Sequence, residues 1–268
     1  MAASAAVPVV FAPIVIQNYL GSCPIPLPGW VQQVRNDASA PPLLKLYANA
    51  LERYHDGKVR YVKLLDGGLV DNYGLAAFTI AHLVADTPYE PLSPEEGVKL
   101  RRLLFLVVDA GRAPSGSWAE TVEGPTGINL VTAASDTATE SGAIGSYSVF
   151  EDIMNKWQDM LINWRCHLSP AERRRFGALP GWNCRDVRLF LARLTFDQLG
   201  PERAAVLNAV ETRFKLPPDQ VDLLITAGRD ALKNNSVFHS FVASLGRAPA
   251  RGAPVASPAS SPQEALAQ

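Results

Sequence analysis

A chain of 268 residues with 47% hydrophobic and 19% charged side chains has enough apolar material for one large buried core. The 25 lysines and arginines nearly balance 26 acidic residues, and a net charge of −1 provides no basic field for nucleic acid. No run reaches the roughly 20 apolar residues of a membrane span, and the first residues lack the basic region of a signal peptide.

The three cysteines, Cys23, Cys166 and Cys184, form no disulfide framework, and with His55, His82, His167 and His239 they show no metal-ligand spacing. Three free thiols is the simpler reading. A Cys166–Cys184 bridge across the 169–182 loop is the alternative for an exported chain. No strand is followed by Gly-x-Gly-x-x-Gly, so dinucleotide binding is disfavoured. Neither a metal nor a cofactor is expected.

In chain order, residues 1–6 read as a helix end or loop, and 7–11 as an extended segment, because Pro8 and Pro13 exclude a helix interior. The proline-rich stretch 21–42 predicts a long surface excursion. Leu44, Tyr47, Leu51 and Tyr54 recur at helix spacing and predict a helix over 43–54. Residues 59–65 read as a strand, and Asp71 or Asn72 is placed to cap a helix over 73–85.

After a proline-rich loop at 87–94, the run 102–108 predicts a fully buried strand of the kind found inside parallel sheets. Asp109 ends it, on the edge where α/β sheets place their sites, or simply as a polar residue capping the next turn. The longest helical region covers 128–168, with a break expected around 142–148. Ile153, Trp157, Met160, Leu161 and Trp164 share one of its faces. Core packing is the default for that stripe, and a lipid-interface face is the sharper alternative.

The run Arg173-Arg174-Arg175 is short and isolated, and reads as a solvated helix end. A strand over 188–196 and helices over 201–214 and 218–234 follow, the last with Val221, Leu224, Ile225 and Leu232 inward. From 246 the chain is rich in Ala, Pro and Ser and predicts a disordered tail.

The most informative stretch is Leu64-Leu65-Asp66-Gly67-Gly68-Leu69-Val70-Asp71-Asn72-Tyr73-Gly74. A strand ends in a carboxylate, and two glycines then allow φ > 0 and close approach of another segment. Asp-Gly is also a common turn dipeptide, so these few residues alone do not distinguish a catalytic carboxylate from turn chemistry.

The longer pattern, strand, Asp-Gly-Gly, short apolar step, Asn and helix, resembles the segment that carries the catalytic aspartate of patatin-like phospholipases. Upstream, Ala3-Ser4-Ala5-Ala6-Val7-Pro8-Val9-Val10-Phe11-Ala12-Pro13 resembles the same family's Ala-Ser-x-Ala-x-Pro-x-x-Phe-x-Pro segment. The resemblance is strongest over 1–112 and weaker through 216–232. It implies an α/β fold of layered, patatin-like type, with a central, mostly parallel sheet flanked by helices and the amino-terminal part of the domain absent. Residues 1–112 are then the carboxyl-terminal part of that catalytic domain, 113–245 a mainly helical continuation, and 246–268 a tail.

The resemblance also implies a lipid acyl hydrolase. A serine in Gly-x-Ser-x-Gly attacks the ester carbonyl, an aspartate takes its proton, and a glycine-rich loop binds the oxyanion. By residue-level match Asp66 is the catalytic base, and Gly67 and Gly68 shape the oxyanion-side turn that presents it.

The nucleophile motif is missing. Gly145-Ser146-Tyr147-Ser148-Val149 lacks the second glycine and follows Asp66, while Ser115 is not flanked correctly. The glycine-rich loop is absent as well. The chain is therefore expected to be inactive alone and to pair with a complementary amino-terminal half. Lipid or ester substrates and a membrane surface are the expected partners, and a membrane-associated or exported location is compatible with them. Two other classes remain open: a non-catalytic patatin-like module that binds lipid through 157–164, and an interaction domain of a larger protein.

Overall fold

The computed structural model describes residues 12–20, 25–111, 122–210 and 215–246. The first motif residues, 3–11, and Cys23, Ser115 and the tail from 247 lie outside them, as does the end of the helix expected over 201–214.

The chain enters through β1 (Ile14–Gln17), then α1 (Gly29–Asn36), α2 (Pro42–His55) and β2 (Tyr61–Leu64). β1 and β2 form an antiparallel ribbon, with Ile14 opposite Leu64 and Gln17 opposite Tyr61. Within the stretch expected to be an irregular excursion, α1 is an ordered helix. Val31 and Val34, one turn apart, are buried against Ala40, Leu44 and Ala48 of the following turn and α2. Three apolar residues in eight, two of them adjacent, do not register as a period, and Pro28 and Pro41 sit just ahead of the helices, where the missing N–H is harmless.

Next come α3 (Gly68–Asp71), α4 (Ala76–Leu83), α5 (Pro94–Lys99) and β3 (Arg102–Val108). α5 grows out of the proline-rich loop because Ser93 and Glu96 make a capping box and Pro94 occupies the first turn. Gly97 lets α5 approach its neighbours: a Cβ there would lie 3.0 Å from Tyr89 and 3.1 Å from Trp164.

The second half holds α6 (Gly127–His167), α7 (Pro170–Arg175), β4 (Arg188–Leu194), a 3₁₀ turn (Phe196–Leu199), α8 (Pro201–Asn208), α9 (Pro218–Asn234) and α10 (Ser236–Leu245). β3 and β4 are parallel, in register from Arg102 opposite Arg188 to Val108 opposite Leu194. Among the described residues the fold is mixed helix and strand, with a small parallel sheet and a separate antiparallel ribbon. The triple-arginine run does close a helix, α7.

α6 is continuous through 142–148, where a break was expected. Glycine costs a helix roughly 1 kcal/mol without interrupting its hydrogen bonds. Ser146 and Ser148 turn their hydroxyls onto the helix's own carbonyls, Ala143 and Ile144. The helix buries Phe150, Met154, Trp157, Leu161 and Arg165, a stripe at four- and three-residue steps, the first four of them clustered with Leu75, Val107 and Val187. Trp157 is 2% exposed, and Trp164 stacks on Tyr89 at 4.7 Å. The 157–164 stripe is core packing, and of its side chains only Met160 is openly exposed, so it is not a lipid-facing surface.

β3 is less covered than a central parallel strand. Val107 is buried, its other residues are half-buried, and Val108 is 67% exposed. One neighbouring strand cannot bury what two neighbours and two helical layers would. α9 also turns differently from the expected face. Ala227 and Ala231 are buried, while Val221 and Ile225 are exposed. Small side chains allow the close seat of α9 against β4 and the 3₁₀ turn, and hydrophobicity alone pointed to the larger residues.

Cys166 and Cys184 are joined in a disulfide, which replaces the reading of three free thiols. Cys166 is in the last turn of α6, and Cys184 lies in the segment leading to β4.

α4 docks on α6 through His82, whose ring meets Trp157 edge-on at 4.7 Å. Nδ1 lies 2.8 Å from the carbonyl of Phe78, so that nitrogen carries the proton, and buried Nε2 has no partner among the described residues. Burial holds the imidazole below its ordinary value of 6.5, with the Phe78 carbonyl opposing weakly. The neutral ring is favoured in the folded state, so its stabilisation is present above the ordinary value and lost as pH falls through the folded one. Urea melts of wild type and His82→Phe should therefore diverge progressively below about pH 6.5, with the wild type losing more stability. Parallel pH dependences would remove His82 from the acid sensitivity.

Candidate functional site

β2 delivers Asp66 two residues past its last hydrogen-bonded position. The carboxylate is half-buried, and its Oδ1 accepts the N–H of Gly68 at 2.8 Å. Gly68 opens α3 with the chain turned tightly on itself: a Cβ would lie 2.9 Å from Asn72 Oδ1 and 3.1 Å from Asp66 Oδ1. Any larger residue there must push the Asn72 amide aside and crowds the carboxylate. Close approach, one of the two expected uses of the glycines, thus applies to Gly68. The other does not, because Gly67 is right-handed at φ −66° and the positive φ of this segment falls at Gly74, +67°.

Asp71 then does what its position predicted. Its two carboxylate oxygens accept the N–H groups of Leu75 and Ala76, each at 2.9 Å, and satisfy orphan donors at the start of α4.

The carboxyl edge of the parallel pair carries a second polar cluster. Asp109 follows β3 directly; its N–H donates to the Leu194 carbonyl, and its Oδ1 accepts from Gly111. That is the turn-capping role open to it from sequence. Its Oδ2 has another partner: the Tyr73 hydroxyl donates to it at 2.5 Å. Burial first, then the Asp109 bond and charge, push the Tyr73 phenol up to about 12, with Arg193 of β4 pulling it partly back. Tyr147 of α6 meets Tyr73 edge-on at 6.4 Å, and the Arg193 guanidinium lies 5.8 Å over the Tyr147 ring. Burial also raises the Tyr147 phenol, assisted by the charge of Glu151.

Tyr73 and Arg193 were not singled out by sequence reasoning. Arg193 belongs to no motif, Tyr73 lies within the Asp-Gly-Gly stretch without a role assigned to it, and the residues they meet at this edge lie 36 or more positions away. Ser146, the nearest approach to a nucleophile motif, points its hydroxyl onto its own helix. Among the described residues no hydroxyl donates to Asp66, and its Oδ2 accepts no hydrogen bond. A carboxylate with one oxygen pinned and the other open is suited to take a proton from a group brought to it.

Among the described residues there is no group of three metal-ligating side chains, and no helix is long and apolar enough to cross a membrane. Comparison with known protein families, with characterised proteins and with solved structures gives no match.

Proposed function

We propose that the chain is the aspartate-bearing portion of a patatin-like lipid acyl hydrolase, a layered fold in which Asp66 is the general base of a Ser-Asp dyad. The serine and the oxyanion loop come from a complementary segment, and the 268 residues alone do not hydrolyse esters. The observation that carries this reading is the half-buried Asp66 carboxylate, fixed through Oδ1 by the Gly68 N–H and accepting no hydrogen bond at Oδ2 among the described residues. The exposed apolar residues Val15, Ile16, Tyr61, Leu65 and Val108 add support, since a fuller central sheet would cover them. The substrate is a lipid or other carboxylic ester, met at a membrane surface, and the reaction needs no cofactor.

The test is complementation. The purified chain is assayed with p-nitrophenyl butyrate, alone and fused behind a segment carrying a glycine-rich loop and Gly-x-Ser-x-Gly. Turnover and labelling by a fluorophosphonate are expected only in the fusion, and Asp66→Asn should lower its kcat by about 10²–10⁴-fold. Ester hydrolysis by the chain alone that ignores Asp66→Asn, or a fusion indifferent to that change, sinks the proposal.

A further inference from the structure

We infer that Tyr73 is a positioning residue for Asp66: its hydroxyl bond to Asp109 latches the Asp66 turn to the carboxyl edge of the parallel sheet. The inference rests on the reading of Asp66 as the base, and it answers a mechanical question that this reading raises. β2 pairs with β1 and not with β3, so no backbone ladder ties the Asp66 turn to the β3–β4 sheet.

Among the described residues the intervening backbone donates its hydrogen bonds within the segment itself. Gly68 donates to Asp66, Asp71 to Gly67, and Gly74 to Asp71, while Leu75 and Ala76 donate to the Asp71 carboxylate. This makes one locally closed unit from Asp66 to the start of α4. Its side-chain tether to the sheet edge is Tyr73, which donates to Asp109 at 2.5 Å and adjoins Arg193. Asp109 is rigid in turn, being held by Gly111 through one carboxylate oxygen and bonded through its N–H to Leu194. A bond from a neutral phenol to a carboxylate is among the stronger kinds, and partial burial shields it from competing water. Packing of α3 along α6, of Leu75 in the core and of the Tyr73 ring on Tyr147 also steadies the unit, but apolar contact is non-directional. A hydrogen bond supplies the direction.

Amide exchange of the full 268-residue chain tests the latch without any catalytic activity. In Tyr73→Phe the Gly68, Leu75 and Ala76 amides should exchange about tenfold faster, while those of β3 and β4 stay within twofold of wild type. Asp109→Ala should reproduce that local pattern. Asp109→Asn keeps a carbonyl acceptor for the phenol and should restore slow exchange. Unchanged Gly68 exchange in Tyr73→Phe overturns the inference, as does uniform acceleration across the sheet. Should Tyr73→Phe fail to fold, the Asp109 pair decides: equal behaviour of Ala and Asn overturns it.

In the complemented enzyme, Tyr73→Phe should lower kcat about tenfold with KM unchanged, because the substrate does not touch it. If the fusion proves inactive, the functional reading fails while the exchange result still stands or falls by itself.

Discussion

Arg165→Ala is expected to destabilise the fold by about 3–5 kcal/mol, the range for breaking a fully buried charged network. The side chain has no exposed surface and lies at the end of the α6 stripe, where periodicity would place an apolar residue. Nη1 donates to the Leu100 carbonyl at 2.5 Å and Nη2 to the Asn183 carbonyl at 3.0 Å. The guanidinium lies 4.9 Å from the Trp182 ring centre, and the Trp182 indole donates to the Val98 carbonyl. One planar cation thus joins the entry to β3, the loop before β4, and α6. Burial pushes its pKa down to about 10, with the Asp186 charge opposing, so it remains a cation at neutral pH.

Truncation takes the guanidinium donor from the Leu100 carbonyl, at about 1–3 kcal/mol, leaves the Asn183 carbonyl with the Asp186 N–H alone, and opens a cavity beside Trp182. Arg165→Met fills the cavity but not the bonds and should lose less than alanine. Arg165→Lys lacks the planar fork that meets two carbonyls at once. Urea denaturation with fitted m-values measures all three. A loss below 1 kcal/mol for alanine would show that water or a neighbouring side chain takes over the carbonyls.

Removing the Cys166–Cys184 bridge is expected to cost about 3 kcal/mol, because the half-cystines are 18 positions apart and their link restricts the unfolded chain. For a chain of this size that corresponds to a fall in Tm of about 6–12 °C. Cys166→Ala with Cys184→Ala, or wild type in reductant, should show it by calorimetry. An identical Tm with and without reductant would mean that the thiols are not joined.

The two losses should not add. Cys166 adjoins Arg165 in sequence and Cys184 adjoins Asn183, whose carbonyl Arg165 holds. The bridge and the guanidinium therefore secure the same loop to the same helix end. The triple variant should fall short of the summed losses, as expected for groups sharing one structural element.

Where the sequence was legible, a local rule decided the outcome. β3 appears at 102–108 as expected, α9 at 218–234, and α2 within a residue of each predicted end, since each has an unbroken apolar run, a helical period or a proline start. Asp71 capped α4 from its position alone. Where the reading failed, tertiary contact had overridden a local rule. α1 is ordered by burial of two valines against α2, α6 runs through glycines because packing beyond them pays no heed to propensity, and α9 chooses alanines because closeness matters more there than size. At the candidate site, Asp66, Gly68 and Asp71 lie within six residues of one another and their bonds were open to anticipation. Tyr73, Asp109 and Arg193 meet only after β3 and β4 are paired, so no spacing in the chain announces them.

The uninterrupted α6 also affects hydrodynamics. Its 41 residues extend about 60 Å, whereas a compact chain of this length has a radius of gyration near 18 Å and a diameter well below that span. The residues from 127 to 142 are almost all exposed, as an overhanging rod would be. Friction grows with such asymmetry, so the monomer will elute early from a sizing column and resemble a larger assembly. Sedimentation equilibrium or light scattering, which report mass independently of outline, is the appropriate measure of how many chains travel together.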